Sequence, residues 1–277
     1  MLPNLIVIGA AKCGTTSLHE YLDEHPEIAM SREKELRFFV EEKNWPLGAE
    51  WYAAQFDDAP IRGESTPAYT AYPRYRGVPE RMRDLIPAAR FVYLVRDPIE
   101  RIVSHFVHRS VQWPEMGSLE QALADPQVRE GFVLPSRYWL QLQRYLACFP
   151  EDQLLVVDAD ELRGQRNETL ARIFRFLQVD PEFQSAAYER THNRGERHAA
   201  QRRSGRVLAA ALRQTVGPER AQAIKARAPG ALKRPFRKKI ERPTLDRSTR
   251  AELEAELRDD VQELRRHTGL AFSGWTI

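Results

Sequence analysis

The stretch Leu5-Ile-Val-Ile-Gly-Ala-Ala-Lys-Cys-Gly-Thr-Thr-Ser-Leu-His-Glu-Tyr-Leu22 decides the fold. Leu5 to Ile8 are aliphatic and uncharged, the pattern of a strand buried on both faces of a parallel sheet. The apolar run then breaks into a small glycine-flanked turn and becomes amphipathic, with Leu18 and Leu22 one helical turn apart. Strand, loop and helix in that order make an anion cradle. Gly9 and Gly14 permit unusual backbone angles and close approach, so the N–H groups of Cys13, Gly14, Thr15, Thr16 and Ser17 can converge on one phosphate-like group at the positive end of the helix dipole.

Working outward, 277 residues with 42% hydrophobic composition are enough to bury a sizeable core in one large α/β domain. The 42 basic residues against 39 acidic ones leave a net charge of only +3, which points to local anion sites and away from a general polyanion binder. Cys13 and Cys148 are the only cysteines, so no disulfide framework is implied and a reducing compartment fits. The sequence opens directly on the first strand, without a charged leader and cleavage site, and no apolar stretch approaches about 18 residues. The expectation is a soluble cytoplasmic protein with no membrane span.

A second strand-to-helix junction lies in Phe91-Val-Tyr-Leu-Val-Arg-Asp-Pro-Ile-Glu-Arg-Ile-Val-Ser-His-Phe106. Asp97 is placed as N-cap and Pro98 at the first helical position. Arg96 emerges at the carboxyl end of the strand, where open α/β sheets take their ligands, and Ser104 follows two turns into the helix.

The first loop resembles the P-loop of nucleotide triphosphatases, but Thr15 stands where a Walker A loop has its lysine. The lysine is Lys12, in the middle of the loop. Lys-x-Gly-Thr-Thr is similar instead to the 5′-phosphosulfate loop of sulfotransferases that use 3′-phosphoadenosine 5′-phosphosulfate (PAPS), and Arg-Asp-Pro-x-x-Arg-x-x-Ser resembles that family's 3′-phosphate signature. The pattern is nearest to bacterial and glycan or heparan-type members. The resemblance is specific at residues 9–18 and 94–104, looser between 110 and 245, and resumes at Gly269-Leu-Ala-Phe-Ser-Gly-Trp275. It implies a three-layer α/β fold of the P-loop-like kind, a central parallel sheet flanked by helices, with residues 1–277 forming a single domain.

The resemblance also implies roles. Lys12 would contact the oxygen bridging phosphorus and sulfur, while Cys13 to Ser17 hold the 5′-phosphosulfate and Arg96 and Ser104 hold the 3′-phosphate, a guanidinium fork being suited to a terminal phosphate. Arg101 would join that network or pair with a carboxylate. A Lys-Glu-x-x-Phe-Phe segment follows the loop in glycan-type members, and here it is Lys34 to Phe39, which makes Glu35 the acceptor base. Transfer to a hydroxyl needs such a proton acceptor within hydrogen-bond reach. The strand over 61–67 carries no histidine, so Glu64 is the second candidate. Tyr138, on a helix expected over 136–149, is an additional nucleotide contact. Arg194 and Gly195 match a basic loop that closes on the cofactor, within a basic flap over about 190–243.

Elsewhere, the plainer readings stand. Trp51, Tyr52 and Phe56 share a helical face and read as core, and Tyr69, Tyr72 and Tyr75 either line an acceptor pocket or pack. His105 and His108 read as surface or interhelical residues, with no Cys or His cluster to complete a metal site. A short helix is expected over 118–128, a turn at Gly131 to Pro135, and a last helix opened by a Thr249-x-x-Glu252 capping box. The expected function is transfer of a sulfuryl group from PAPS to a hydroxyl or amine of a small molecule, glycoside or glycan, without a metal, giving adenosine 3′,5′-bisphosphate. A kinase-like nucleotide-binding protein and a non-catalytic PAPS-binding module are the alternatives. Nucleic-acid binding is not indicated, since the basic residues near 202–239 lack aromatic interleaving.

Overall fold

The structure, a computed structural model, describes residues 1–189, 199–201, 237–239 and 242–277. Arg194, Gly195 and nearly all of the expected flap lie outside the described residues. Five parallel strands form the central sheet, in the order β2-β3-β1-β4-β5: β1 (Leu5–Gly9), β2 (Ile28–Met30), β3 (Ile61–Ser65), β4 (Arg90–Val95) and β5 (Leu154–Asp158). A short antiparallel pair, β6 (Ala199–Gln201) with β7 (Arg237–Lys239), stands apart from it. β1 and β4 are the sheet's centre, and their side chains from Leu5 to Ile8 and from Phe91 to Val95 are completely buried. That burial is why both read as continuous apolar runs instead of alternating ones.

The helices are α1 (Thr15–Asp23), α2 (Gly48–Ala53), α3 (Val78–Leu85), α4 (Pro98–Gln112), α5 (Leu119–Ala124), α6 (Pro126–Val133), α7 (Tyr138–Leu146), α8 (Ala159–Gly164), α9 (Arg166–Leu177) and α10 (Arg247–Thr268). Among the described residues, no helix is long and apolar enough to cross a membrane. Asp97 caps α4 as expected, accepting from the Glu100 N–H at 2.9 Å. Its other oxygen accepts from the backbone and hydroxyl of Thr276 at 2.6 and 2.7 Å, which ties the C-terminal segment to the carboxyl end of β4.

Two local expectations are corrected. The segment taken as a turn at Gly131 to Pro135 continues a helix through Val133, because Asp125 followed by Pro126 opens α6 just after α5 ends. The last helix is capped by Asp246, which accepts from the Thr249 N–H at 2.8 Å, so Thr249 is inside the first turn and is not the cap. Its stripe of Leu253, Leu257, Val261 and Leu264 is fully buried, as the spacing requires.

Candidate active site

The loop between β1 and α1 lies at the carboxyl end of the sheet, beside the end of β4. Gly14 is the N-cap of α1, with φ +94°, a left-handed conformation that costs a glycine nothing, and no side chain caps the helix. The first helical bond runs from Leu18 N–H to the Gly14 carbonyl at 3.1 Å, so the amides of Gly14 to Ser17 precede it. The Cys13 amide is different. It donates to the Ala10 carbonyl at 3.2 Å and therefore serves the turn itself.

Lys12 is half-buried, with a left-handed φ of +76° for which its Cβ is poorly suited, a conformation that persists only where the surroundings hold it. Burial pushes its ammonium below the ordinary lysine range, and the guanidinium charges of Arg101 and Arg96 add to that against the pull of Glu35. Its backbone carbonyl accepts from Arg96 at 3.4 Å. Arg96 also reaches Glu100, at 3.5 Å, and Arg242 shares that same carboxylate; the Arg96 Nε is buried without a hydrogen-bond partner. Ser104, half-buried, sits on α4 beyond this group.

Arg101 pairs with no carboxylate among the described residues. It is completely buried, and its fork donates to the Ser136 hydroxyl at 2.5 Å, the Ala11 carbonyl at 3.5 Å and the Phe132 carbonyl. The loop is thus held from beneath by an arginine three positions upstream of Ser104. Tyr138 does the same from another side. It is fully buried, edge-on to Tyr93 at 5.9 Å between ring centres, with its hydroxyl 3.7 Å from the Cys13 sulfur. Cys13 and Tyr138 therefore approach each other under the loop, away from its open face.

Glu35 comes to the same end of the sheet from the segment after β2. Its carboxylate accepts from Arg37 at 2.9 Å and from Lys34 at 3.4 Å, and Lys34 also reaches the Thr15 hydroxyl at 3.5 Å. Lys34 therefore bridges the phosphate-type loop and the candidate base. Burial raises the Glu35 carboxyl, but the hydrogen bond from Arg37 and the charges of Lys34 and Arg37 outweigh it, and the group ends below the usual carboxylate range. Glu64, the second candidate, is sealed: fully buried, it accepts from Tyr52 at 2.5 Å, Tyr69 at 2.8 Å and Thr66 at 2.7 Å. Tyr69 is accordingly a core residue.

Lys34, Arg37 and Arg101 belong to the site's surroundings although sequence reasoning assigned them no settled role; the first two lie beside Glu35 inside the Lys-Glu-x-x-Phe-Phe stretch, and Arg101 lies inside the Arg-Asp-Pro-x-x-Arg-x-x-Ser motif, whose spacing gave no sign that it bonds carbonyls. No group of three His, Cys, Asp or Glu side chains able to hold a metal occurs among the described residues.

A family model described as a sulfotransferase domain matches residues 2–196. The human bifunctional heparan sulfate N-deacetylase/N-sulfotransferase 2 is 27% identical over 201 residues, covering 65% of this chain and 22% of that protein. The human heparan sulfate glucosamine 3-O-sulfotransferase 5 is 30% identical over 192 residues, covering 65% of this chain and 54% of that protein. The chain thus spans from about a fifth to about half the length of these relatives. Among solved structures, a sulfotransferase from Alicyclobacillus acidocaldarius superposes with a TM-score of 0.61 at 25% identity, over 83% of this chain and 98% of that one.

Proposed function

Because the chain belongs to the sulfotransferase domain family, we propose that it moves the sulfuryl group of PAPS to a hydroxyl or amine on a carbohydrate, glycoside or other small acceptor. The observation that carries this reading is the uncapped start of α1 set between Lys12 and Arg96. Both cations lie in largely desolvated positions and neither has a full complement of partners among the described residues. Such a site suits an anion with two separated phosphate groups, one at the loop and one at the arginine. What speaks against the kinase reading is Thr15 in the place of a Walker lysine.

In this reading the amides of Gly14 to Ser17 bind the 5′-phosphosulfate, and Arg96 with Ser104 binds the 3′-phosphate. Tyr138 and Cys13 support the loop from below, and Arg194 and Gly195 remain assigned to a covering loop. As the acceptor oxygen or nitrogen forms its bond to sulfur, the bond from sulfur to the bridging oxygen breaks and the bisphosphate leaves. Lys12 stabilises the negative charge growing on that oxygen, and Glu35 takes the acceptor's proton. No metal enters these steps. The reading takes residues 1–277 as one domain working in the cytoplasm, a placement supported by two free thiols, Cys13 and Cys148. A carbohydrate acceptor is supported by the names of the two heparan sulfate relatives.

Calorimetric titration with adenosine 3′,5′-bisphosphate, with ATP and magnesium as the control, tests the donor site. Magnesium-independent binding of the bisphosphate, lost in Arg96→Ala, is expected. Binding of ATP alone, or of neither ligand, overturns the reading.

A further inference from the structure

We propose that Glu64 is a positioning residue for Glu35, its buried carboxylate clamping the three-residue turn that carries the acceptor base. The inference rests on the reading of Glu35 as that base.

The turn is bonded to the end of β3 through two of its amides, those of Glu35 and Arg37. The Glu35 N–H donates to the Ser65 carbonyl at 3.1 Å. The Arg37 N–H donates to the Thr66 hydroxyl at 3.2 Å, and that hydroxyl in turn donates to Glu64 at 2.7 Å. One of the two anchors thus passes through the Glu64 side chain.

The turn needs them. Glu35 and Arg37 both have left-handed backbone angles, φ +66° and +50°, and neither is a glycine. Such residues hold that conformation only where neighbouring structure over-determines it. The consequence is directional: with the backbone fixed, the Arg37 guanidinium turns back onto the Glu35 carboxylate, and Lys34 closes on it from the other side.

Glu64 is built for the task in its own environment. Tyr52, from α2, and Tyr69, from the turn after β3, donate to one oxygen, while Thr66 donates to the other. These are three donors on one buried carboxyl group, so both of its oxygens are committed to the residues around the turn. Glu64 is completely buried behind these donors and out of an acceptor's reach, so its effect on the reaction runs through Glu35.

The test follows the Glu35 carboxyl by carbon-13 NMR titration of the full-length chain, in the wild type, Glu64→Gln, Thr66→Val and Thr66→Ser. Glu64→Gln places an N–H against donors, and Thr66→Val removes only the hydroxyl link, whereas Thr66→Ser keeps it. The expected result is a Glu35 titration below the usual carboxylate range in the wild type and in Thr66→Ser. In Glu64→Gln and Thr66→Val it moves up into that range, while affinity for adenosine 3′,5′-bisphosphate stays within about twofold, as for independent sites. A Glu35 titration unchanged in Thr66→Val overturns the clamp, and that variant decides the matter even where Glu64→Gln does not fold. Glu35→Gln that consumes PAPS at the wild-type rate, with a heparan sulfate oligosaccharide as acceptor probe, overturns instead the base assignment and with it the catalytic meaning of the clamp.

Discussion

Replacing Lys12 by alanine isolates one interaction. Lys12 holds a left-handed φ of +76°, and alanine keeps a Cβ, so the backbone cost is the same before and after. Arg96 bonds to the Lys12 carbonyl, which the substitution leaves in place. Only the ammonium goes. Its surroundings are desolvated and contain two further cations, so its charge acts through a low dielectric and is not neutralised by a bound side chain among the described residues. Losing one such donor to charge that develops in the transition state costs about 10²–10³ in turnover, or about 3–4 kcal/mol. While it still joins phosphorus to sulfur the bridging oxygen carries only part of that charge, so the affinity for PAPS itself should fall far less than the rate does. Single-turnover release of adenosine 3′,5′-bisphosphate from PAPS, with heparan sulfate oligosaccharide as acceptor probe, measures the first quantity, and calorimetry the second. The lowered pKa of Lys12 adds a pH signature: the ammonium is lost on the alkaline side earlier than for an ordinary lysine, so the rate should fall there in the wild type and not in Lys12→Ala. A variant within about tenfold of wild-type turnover would refute the assigned role, because a donor aimed at the leaving oxygen cannot be that dispensable.

Arg101→Met leaves the Ala11 and Phe132 carbonyls and the Ser136 hydroxyl without their donor; at about 1–3 kcal/mol each, offset by relief of a buried charge, the net loss is roughly 2–4 kcal/mol, and calorimetry should show Tm lower by on the order of 10 °C. Gly9→Ala sets a Cβ 2.0 Å from the Thr70 hydroxyl oxygen, and urea unfolding should show a loss of about 1–3 kcal/mol that a Thr70→Ala partner relieves. The Glu35 carboxyl lies below its usual range and so stays ionised further into acid than an ordinary glutamate; Lys34→Ala removes one of the charges that hold it there, and the acid limb of the pH–rate profile should move to higher pH.

The sheet was legible because both of its central strands are buried on two faces. Leu5 to Ile8 and Phe91 to Val95 could be nothing but continuous apolar runs, and the residue types that follow each of them name the loop. The placement of Lys12, Arg96 and Glu35 at one end of the sheet was legible for a related reason: each follows a strand within a few residues, although the role proposed for Glu35 came only from the family resemblance of Lys34 to Phe39. What supports them was not. Arg101 reaches the Ala11 carbonyl from 90 residues away, and Glu64 meets Tyr52, and through Thr66 the Arg37 amide, only after the chain has crossed the sheet. No local pattern distinguishes a buried arginine that bonds carbonyls from one that binds phosphate. The misplacement of the last cap was a narrower matter, since Asp246 and Thr249 both suit an N-cap and the structure uses the earlier one.

The charge balance of the site links its stability to its chemistry. Lys12 and Lys34 are both held below the ordinary lysine range, chiefly by burial. Each is a group that the fold makes harder to protonate than the unfolded chain does, so keeping it charged at neutral pH works against folding. The fold tolerates this because Arg101 is satisfied by carbonyls instead of competing for anions, and because Glu35 and Glu100 each hold two cationic side chains in place. An anionic donor reverses the sign of the contribution. Phosphate oxygens near Lys12 and the start of α1 would favour the charged lysines, so the same groups that weaken the free protein strengthen the bound one. Binding and folding stability then draw on a single set of desolvated cations, and a substitution that neutralises one of them should stabilise the free chain while weakening its hold on the donor.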